Sequence, residues 1–330
     1  MLQALRRWAL RATAVAAAVA MVGGACGAQA QPAFPTKPIK ILVGFAPGGP
    51  ADIVARVVGT KMGDILGHGV VIENRGGAGG YIATEAVGRA EPDGYTLLMT
   101  PIANAANEAI YKNRKIKYGE SLTAVATVAE TANVLVVHPS LGVKTVADLI
   151  ALAKTKPGEI VYASAGRGTA THLTSELFNM MAGVKLSPVH YRGGGETIRD
   201  LLSGEVKVMF SSIPPVLEFI KDKRMLGIAT TAPKRDAALP DLPTVAEQGL
   251  PGFDMRLWLG FLAPSGTPRP VIDKLAGAVE QALKTEDMKK SLAVQGFDPL
   301  IGGPDQFDRF MRDEIVKWGK VVEAVGITPE

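Results

Sequence analysis

Four stretches of this chain place bare backbone directly before a helical pattern: Pro47-Gly48-Gly49-Pro50-Ala51-Asp52, Gly76 to Gly80, Ser164 to Thr169, and Gly193 to Gly195. Each follows a short apolar run that reads as a strand, so backbone N–H groups at a positive helix end can approach an anion. One helix end contributes about 0.3–1 kcal/mol toward a charge, and each hydrogen bond to that charge about 1.5–3 kcal/mol. Two or three such loops converging on a carboxylate bind it without a dedicated arginine. For any one loop, glycine's fitness for tight strand-to-helix turns is explanation enough. Four in one chain point to a ligand cleft.

Ser164 and Thr169 add hydroxyls to the third loop, and Thr169 also suits the N-cap of the helix carrying His172. Arg167 and Arg192 are the basic side chains closest to these loops, able to answer an anion or to stay solvated. Asp52 falls in the first turn of its helix, where a carboxylate favours the dipole. Facing the cleft it would repel an anion, so its expected part is to order the loop.

Catalytic and metal signatures are absent from the sequence. No loop reads G-x-G-x-x-G with a fitting acid downstream, and none reads G-x-x-x-x-G-K-[ST]. His68, His138, His172 and His190 have no metal-binding spacing. A secreted hydrolase using Ser164 with His172 is an alternative, but no G-x-S-x-G elbow surrounds Ser164, and a capping or core histidine is the better reading. Aromatic residues make up 6% and the basic residues are scattered, which leaves no platform for nucleic acid. No catalytic residue, metal site or cofactor is expected.

The elements that must position the loops follow from hydrophobic spacing. Past residue 30, short apolar runs alternate with longer helical patterns, the mark of βαβ units and a largely parallel sheet. Strands are expected at Ile39 to Phe45, Val70 to Ile72, Tyr95 to Met99, Asn133 to His138 and Ile160 to Ala163. Others are expected at Val189 to Tyr191, Val206 to Phe210, Leu226 to Thr230 and Trp258 to Ala263. Helices are expected from Ile53 to Met62, Ala83 to Arg89, Thr145 to Thr155, Thr171 to Met181, Glu196 to Leu202, Val271 to Leu283 and Asp305 to Val322. The first half has few helices to cover its sheet, so the last two are assigned to it. Two lobes result: a discontinuous first lobe of residues 31–132 and 250–330, and a second of residues 133–249. Each is an α/β, doubly wound, mostly parallel sheet, and the interlobe cleft is the default ligand site.

Residues 1–30 have the form of a secretory signal peptide: Arg6, Arg7 and Arg11 without an acid, an Ala/Val-rich run from Ala12 to Val22, and Ala28-Gln29-Ala30 at the cleavage site. Removing them takes the formal charge from +4 to +1, so the overall basicity belongs to the leader. Cys26 is the only cysteine; cleavage after Ala30 leaves neither disulfide nor thiolate chemistry. Lipidation at Cys26 is a rival outcome, but Gly23 stands where that processing site prefers an aliphatic residue. The expected location is periplasmic.

Several further motifs stand in a specific order and spacing. They are Pro35-Thr36-Lys37-Pro38-Ile39-Lys40, Val43-Gly44-Phe45-Ala46-Pro47-Gly48-Gly49, Glu73-Asn74-Arg75, Gly77-Ala78-Gly79-Gly80 and Pro92-Asp93-Gly94-Tyr95-Thr96. Further along come Gly166-Arg167-Gly168-Thr169 with His172-Leu173, Tyr191-Arg192-Gly193-Gly194, Leu239-Pro240-Asp241-Leu242-Pro243-Thr244 and Ala263-Pro264-Ser265-Gly266-Thr267-Pro268. In this order and spacing the motifs resemble the extracytoplasmic solute receptors of the tripartite tricarboxylate transporters, the Bug receptors, over Phe34 to about Val322. The resemblance implies a two-lobed type II periplasmic binding-protein fold, the Venus flytrap, holding a carboxylated solute. It implies ligand contacts at Phe45, Pro47, Gly48, Gly49, Ser164, Gly166, Gly168 and Thr169, to which the loop argument adds Gly79, Arg167, Gly193 and Gly194. Two positions depart from the pattern: Arg192 replaces a lysine, and Ser211-Ser212 stands where many relatives have an acid. Ser211 then offers a neutral hydrogen bond in place of a carboxylate that could read a ligand amine. The implied partners are a small carboxylated solute and the membrane permease components of such a transporter, with the receptor a monomer. An exported sensor for a signalling partner is the alternative that gene neighbourhood separates.

Export of the full chain is expected to yield a product beginning at Gln31, read by intact mass; a lipid-modified product beginning at Cys26 would overturn the soluble form.

Overall fold

The computed structural model describes residues 34–111, 114–191 and 193–327, and the fold below is that of the compact unit beginning at Lys37. The expected leader at residues 1–30, with Cys26, and the candidate Arg192 lie outside the described residues.

The first part of the chain runs β1 (Ile39–Val43), α1 (Pro50–Leu66), β2 (Val70–Asn74), α2 (Tyr81–Gly88), β3 (Thr96–Pro101), α3 (Ile102–Ile110) and β4 (Leu122–Val137). It continues through α4 (Val146–Thr155), β5 (Val161–Ser164), α5 (Ala170–Ala182), β6 (Ser187–His190), α6 (Gly194–Ser203), β7 (Val208–Ser212), α7 (Leu217–Lys221) and β8 (Leu226–Thr230). The last part is β9 (Arg256–Pro264), α8 (Arg269–Lys284), α9 (Glu286–Val294), β10 (Asp298–Gly302) and α10 (Pro304–Val325).

Local signals explain most of these boundaries. In α1, Pro50 occupies the first turn, where its missing N–H is not needed, and Gly67 ends the helix at φ 73°. Val54, Val58 and Met62 recur at helical spacing on its buried face. Helix α4 opens on a reciprocal capping box between Thr145 and Asp148.

The strands form one sheet in the order β2-β1-β3-β9-β4-β7-β5-β6, with β8 and β10 also pairing with β4. Strand β1 runs parallel to β2 and β3, and β5 parallel to β6 and β7, as the βαβ reading requires. The middle differs from the mostly parallel expectation. Strand β9 is antiparallel to both β3 and β4, and β4 is antiparallel to β7, β8 and β10. A strand buried on both faces is an unbroken apolar run whichever way its neighbours point, so direction left no mark in the pattern.

Strand β4 also begins eleven residues before the expected Asn133, because its first half is built of alanine and threonine rather than large aliphatic residues. From Leu122 to Ala132 it pairs with β9, and from Asn133 to Val137 with β7 and β8. The change of partner is stitched by buried polar groups. Asn133 N donates to Thr231 Oγ1 (2.8 Å), Thr231 N donates to Asn133 O (2.9 Å), and Thr231 Oγ1 donates to Met255 O (2.6 Å). The Asn133 side chain donates to Thr174 Oγ1 of α5 (2.9 Å).

Helix α8 packs on α1 and β4; α10 packs on α3 and β4 and reaches α5. The buried Glu314 of α10 accepts from both Trp258 Nε1 (2.7 Å) and Trp318 Nε1 (2.8 Å), fastening the helix to β9. Beside this anchor the Phe307 ring lies on bare Gly260: a Cβ there would stand 2.4 Å from Phe307 Cζ and 3.0 Å from Ala126 O. Such overpacking costs typically about 1–3 kcal/mol. Gly260→Ala is therefore expected to lower the denaturation midpoint by that order, and pairing it with Phe307→Leu to recover part of the loss. An unchanged midpoint in the single variant would contradict this packing.

Candidate functional site

The first glycine loop follows β1 and opens α1. Gly48 takes φ 78°, which favours glycine, whereas Gly49 is extended at φ −78°, where any residue fits. The buried Asp52 carboxylate accepts from Gly48 N (2.9 Å) and from Arg56 Nε (3.1 Å). Asn74 Nδ2 donates to Phe45 O (3.0 Å), and Arg56 reaches Asn74 Oδ1 (3.1 Å). Burial alone would raise Asp52, but the hydrogen bonds from Arg56, Gly48 N and Asn74 outweigh it and hold the carboxyl below its ordinary value. Asp52 thus orders the loop, as its sequence position indicates. Gly49 N is turned back to Ala46 O (3.3 Å), and no side chain caps α1. Pro47 and Gly48 are exposed and Phe45 is half-buried.

The second loop precedes α2, and residues 77–80 all have positive φ, including the non-glycine Ala78 at 47°. Non-glycine residues are strained by about 1–3 kcal/mol in this region. The turn lies so close to β1 that a Cβ on Gly44 would stand 2.7 Å from Gly80 Cα. A Cβ on Gly80 would stand 3.2 Å from the Phe45 ring.

The third loop joins β5 to α5 and is largely self-satisfied. Ser164 Oγ and Thr169 Oγ1 both donate to Gly166 O (2.9 and 2.6 Å), Ala165 N donates to Thr171 Oγ1 (2.9 Å), and Gly166 N to Ser164 Oγ (3.2 Å). Gly168, at φ 72°, donates its N–H to His172 Nδ1 (3.0 Å). His172 is buried, edge-on to His190 (4.8 Å between ring centroids) and stacked on Tyr162, whose hydroxyl donates to Glu176. Burial pushes His172 down to about 3, with the charges of His190 and Arg167 adding to the effect. It is therefore a neutral acceptor at neutral pH, the capping histidine read from the sequence. The hydroxyls and amides expected to face a ligand are turned into the loop itself. No side chain caps α5 at Thr169. The first-turn N–H groups, Ala51 and Asp52 on α1 and Ala170, Thr171 and His172 on α5, precede the first intrahelical bonds, Ile53 N to Gly49 O and Leu173 N to Thr169 O.

Helix α3, which sequence reasoning missed, brings the second and third loops together. Its buried Asn107 donates from Nδ2 to Gly79 O (2.9 Å), while Asn107 Oδ1 and Ile110 Cδ1 stand 3.9 and 3.3 Å from where a Gly168 Cβ would be. The signal available was a pair of asparagines three residues apart, Asn104 and Asn107, among alanines. Arg167 is exposed on the third loop. Gly193 and Gly194 sit at the start of α6 in open space, where a Cβ on either would meet nothing within 4 Å, and neither has positive φ. The carbonyl of Tyr191, two residues before Gly193, lies 3.7 Å from where a Gly166 Cβ would be. Ser211 is buried in β7 and donates to Ser212 O (3.0 Å).

Two cavities, of about 180 and 470 Å³, lie beside α8 and the start of α10 and include none of these loop residues. Among the described residues no cluster of His, Cys, Asp or Glu could hold a metal ion, and no helix is long and apolar enough to cross a membrane.

The profile of the tripartite tricarboxylate transporter family receptor matches residues 54–327. The chain belongs to this family. It is 36% identical over 295 residues to Protein BugT of Bordetella pertussis, covering 89% of this chain and 90% of that one. Among solved structures it is similar to R. palustris Rpa4515 with adipate, at TM-score 0.80 and 33% identity, covering 90% of this chain and 100% of that one. MatC from Rhodopseudomonas palustris with bound malate gives TM-score 0.76 and 31% identity, covering 88% and 100%. The fold of this receptor is therefore the α/β solute-binding fold of its family, with a mixed sheet.

The buried imidazole of the receptor generates a pH dependence. An unfolded histidine titrates near 6.5, so below that pH the unfolded chain binds a proton that folded His172 refuses until about 3. Stability is expected to drop as the pH is lowered through this window, by up to about 1.4 kcal/mol per pH unit from this residue. Urea midpoints between pH 7 and 4 test it: His172→Asn should show a shallower decline than wild type, and identical declines would contradict a neutral buried imidazole.

Proposed function

We propose that this receptor captures a small carboxylated solute in the periplasm between the two lobes read from the sequence, and presents it to the membrane components of a tripartite tricarboxylate transporter. The observation that carries the reading is the pair of uncapped helix starts, α1 after Pro47-Gly48-Gly49 and α5 after Gly166-Arg167-Gly168-Thr169, each with its loop already hydrogen-bonded within itself. Pre-ordered loops spend little entropy on binding, and first-turn amides are suited to a carboxylate. The solved relatives similar to this chain hold adipate and malate, both dicarboxylates.

Within this reading Phe45 walls the site beside Gly80, and Pro47, Gly48, Gly49, Ser164, Gly166, Gly168 and Thr169 shape the two loops. Arg167 answers the ligand's charge from the third loop; Gly79, Gly193, Gly194 and Ser211 complete the surroundings. Binding differentially stabilises a closed arrangement of the lobes. The alternative hydrolase is disfavoured, because Ser164 Oγ is bonded to Gly166 O and His172 Nδ1 to Gly168 N, so neither activates the other.

Calorimetry of the mature chain with succinate, malate, adipate and citrate is the test. At least one is expected to bind with a stoichiometry near one, and Gly168→Val is expected to abolish that binding while the variant still unfolds cooperatively. Flat responses from ligand-free wild type would contradict the reading, and normal binding by Gly168→Val would remove the third loop from the site.

A further inference from the structure

The starts of α1 and α5 offer donors, yet α3 offers the opposite. Asn107 Nδ2 is committed to Gly79 O, a group that can only accept, and this fixes the amide orientation. Oδ1 is therefore the atom turned toward the gap between Gly79 and Gly168, 3.4 and 3.9 Å from where their Cβ atoms would stand. The side chain is nine-tenths buried, and no described residue donates a hydrogen bond to Oδ1. One turn earlier Asn104 repeats the arrangement. Its Nδ2 donates to Thr84 Oγ1 (2.9 Å), and its buried Oδ1, 3.4 Å from where a Gly80 Cβ would be, has no partner among the described residues.

Asn104 Oδ1 is sealed from solvent, whereas Asn107 Oδ1 is not, so an incoming group can reach it; a carboxylate set against it would be repelled. The group that satisfies it is a ligand hydrogen-bond donor. Resting on the carboxylate-receptor reading, we propose that Asn107 is a specificity-determining residue that accepts from a hydroxyl near the ligand's carboxylate, so that this receptor takes hydroxylated acids in preference to their deoxy counterparts. A neutral hydroxyl fits better than an ammonium because the nearby carboxylates are engaged: Asp52 by Gly48 N and Arg56, Glu176 by Tyr162 and Asn179.

The test is calorimetry of the mature chain with acids matched except for one hydroxyl, malate against succinate, lactate against propionate and mandelate against phenylacetate, with aspartate beside malate. In whichever pair binds, the hydroxy acid is expected to bind about 2- to 10-fold tighter, the value of one net hydrogen bond. That ratio should fall to near one in Asn107→Leu, a readout unmoved by general loosening of the Gly79 turn because both members of a pair share it. Equal affinities within a pair in wild type overturn the proposal even if the variant fails to fold. So does a ratio that survives in Asn107→Leu, or aspartate binding more tightly than malate. Binding of adipate or citrate with no acid of any pair also overturns the proposal, whereas binding of none of these acids overturns the carboxylate-receptor reading itself.

Discussion

Asn133 is the residue on which the relative placement of the glycine loops depends. There β4 passes from pairing with β9 to pairing with β7 and β8, and the exchange is held by hydrogen bonds among buried Asn133, Thr231 and Met255. Buried polar groups have few alternative partners, so these bonds define the register sharply. A slip of one residue would turn the face of every strand beyond it. Through Thr174 the same residue also touches α5, the helix whose start carries the third loop. Register in the sheet and position of the loop are therefore set by one cluster.

From that frame the loops acquire their chemistry by using up their own polar groups. Asp52 takes the Gly48 amide, His172 takes the Gly168 amide, and Gly166 O collects two hydroxyls. What stays available is the first turn of each helix, where about 0.3–1 kcal/mol of dipole stabilisation joins the stronger charged hydrogen bonds. This division suits the loops to anions whatever the net charge of the chain. Attraction is local and short-ranged, so overall charge has little to do with it.

The parts legible in the sequence were those with strong local signals. Leu226 to Thr230 reads as a strand and is one, and the glycine runs mark the loops that follow β1, β2, β5 and β6. The first half of β4 was hidden because Ala124, Ala126 and Ala129 carry too little apolar weight to mark a strand, and α3 because its alanines and asparagines carry little apolar weight between Ile102 and Ile110. The antiparallel centre was illegible for a different reason, since burial on both faces erases direction. At the site, glycine content announced backbone exposure but not which amides were already spoken for. That depended on Thr171 and His172 reaching back from the next helix. Asn107 gave no sign because its meaning lies in two loops distant in sequence, at Gly79 and Gly168.

The most direct measurement of the central claim, one solute gripped by two helix starts, is amide hydrogen exchange of the mature chain with and without a saturating dicarboxylate. Slowed exchange is expected together in residues 46–53 and 165–173, the loops and first turns of α1 and α5. Protection confined to one of these segments, or lying only beside α8 and α10, would contradict it.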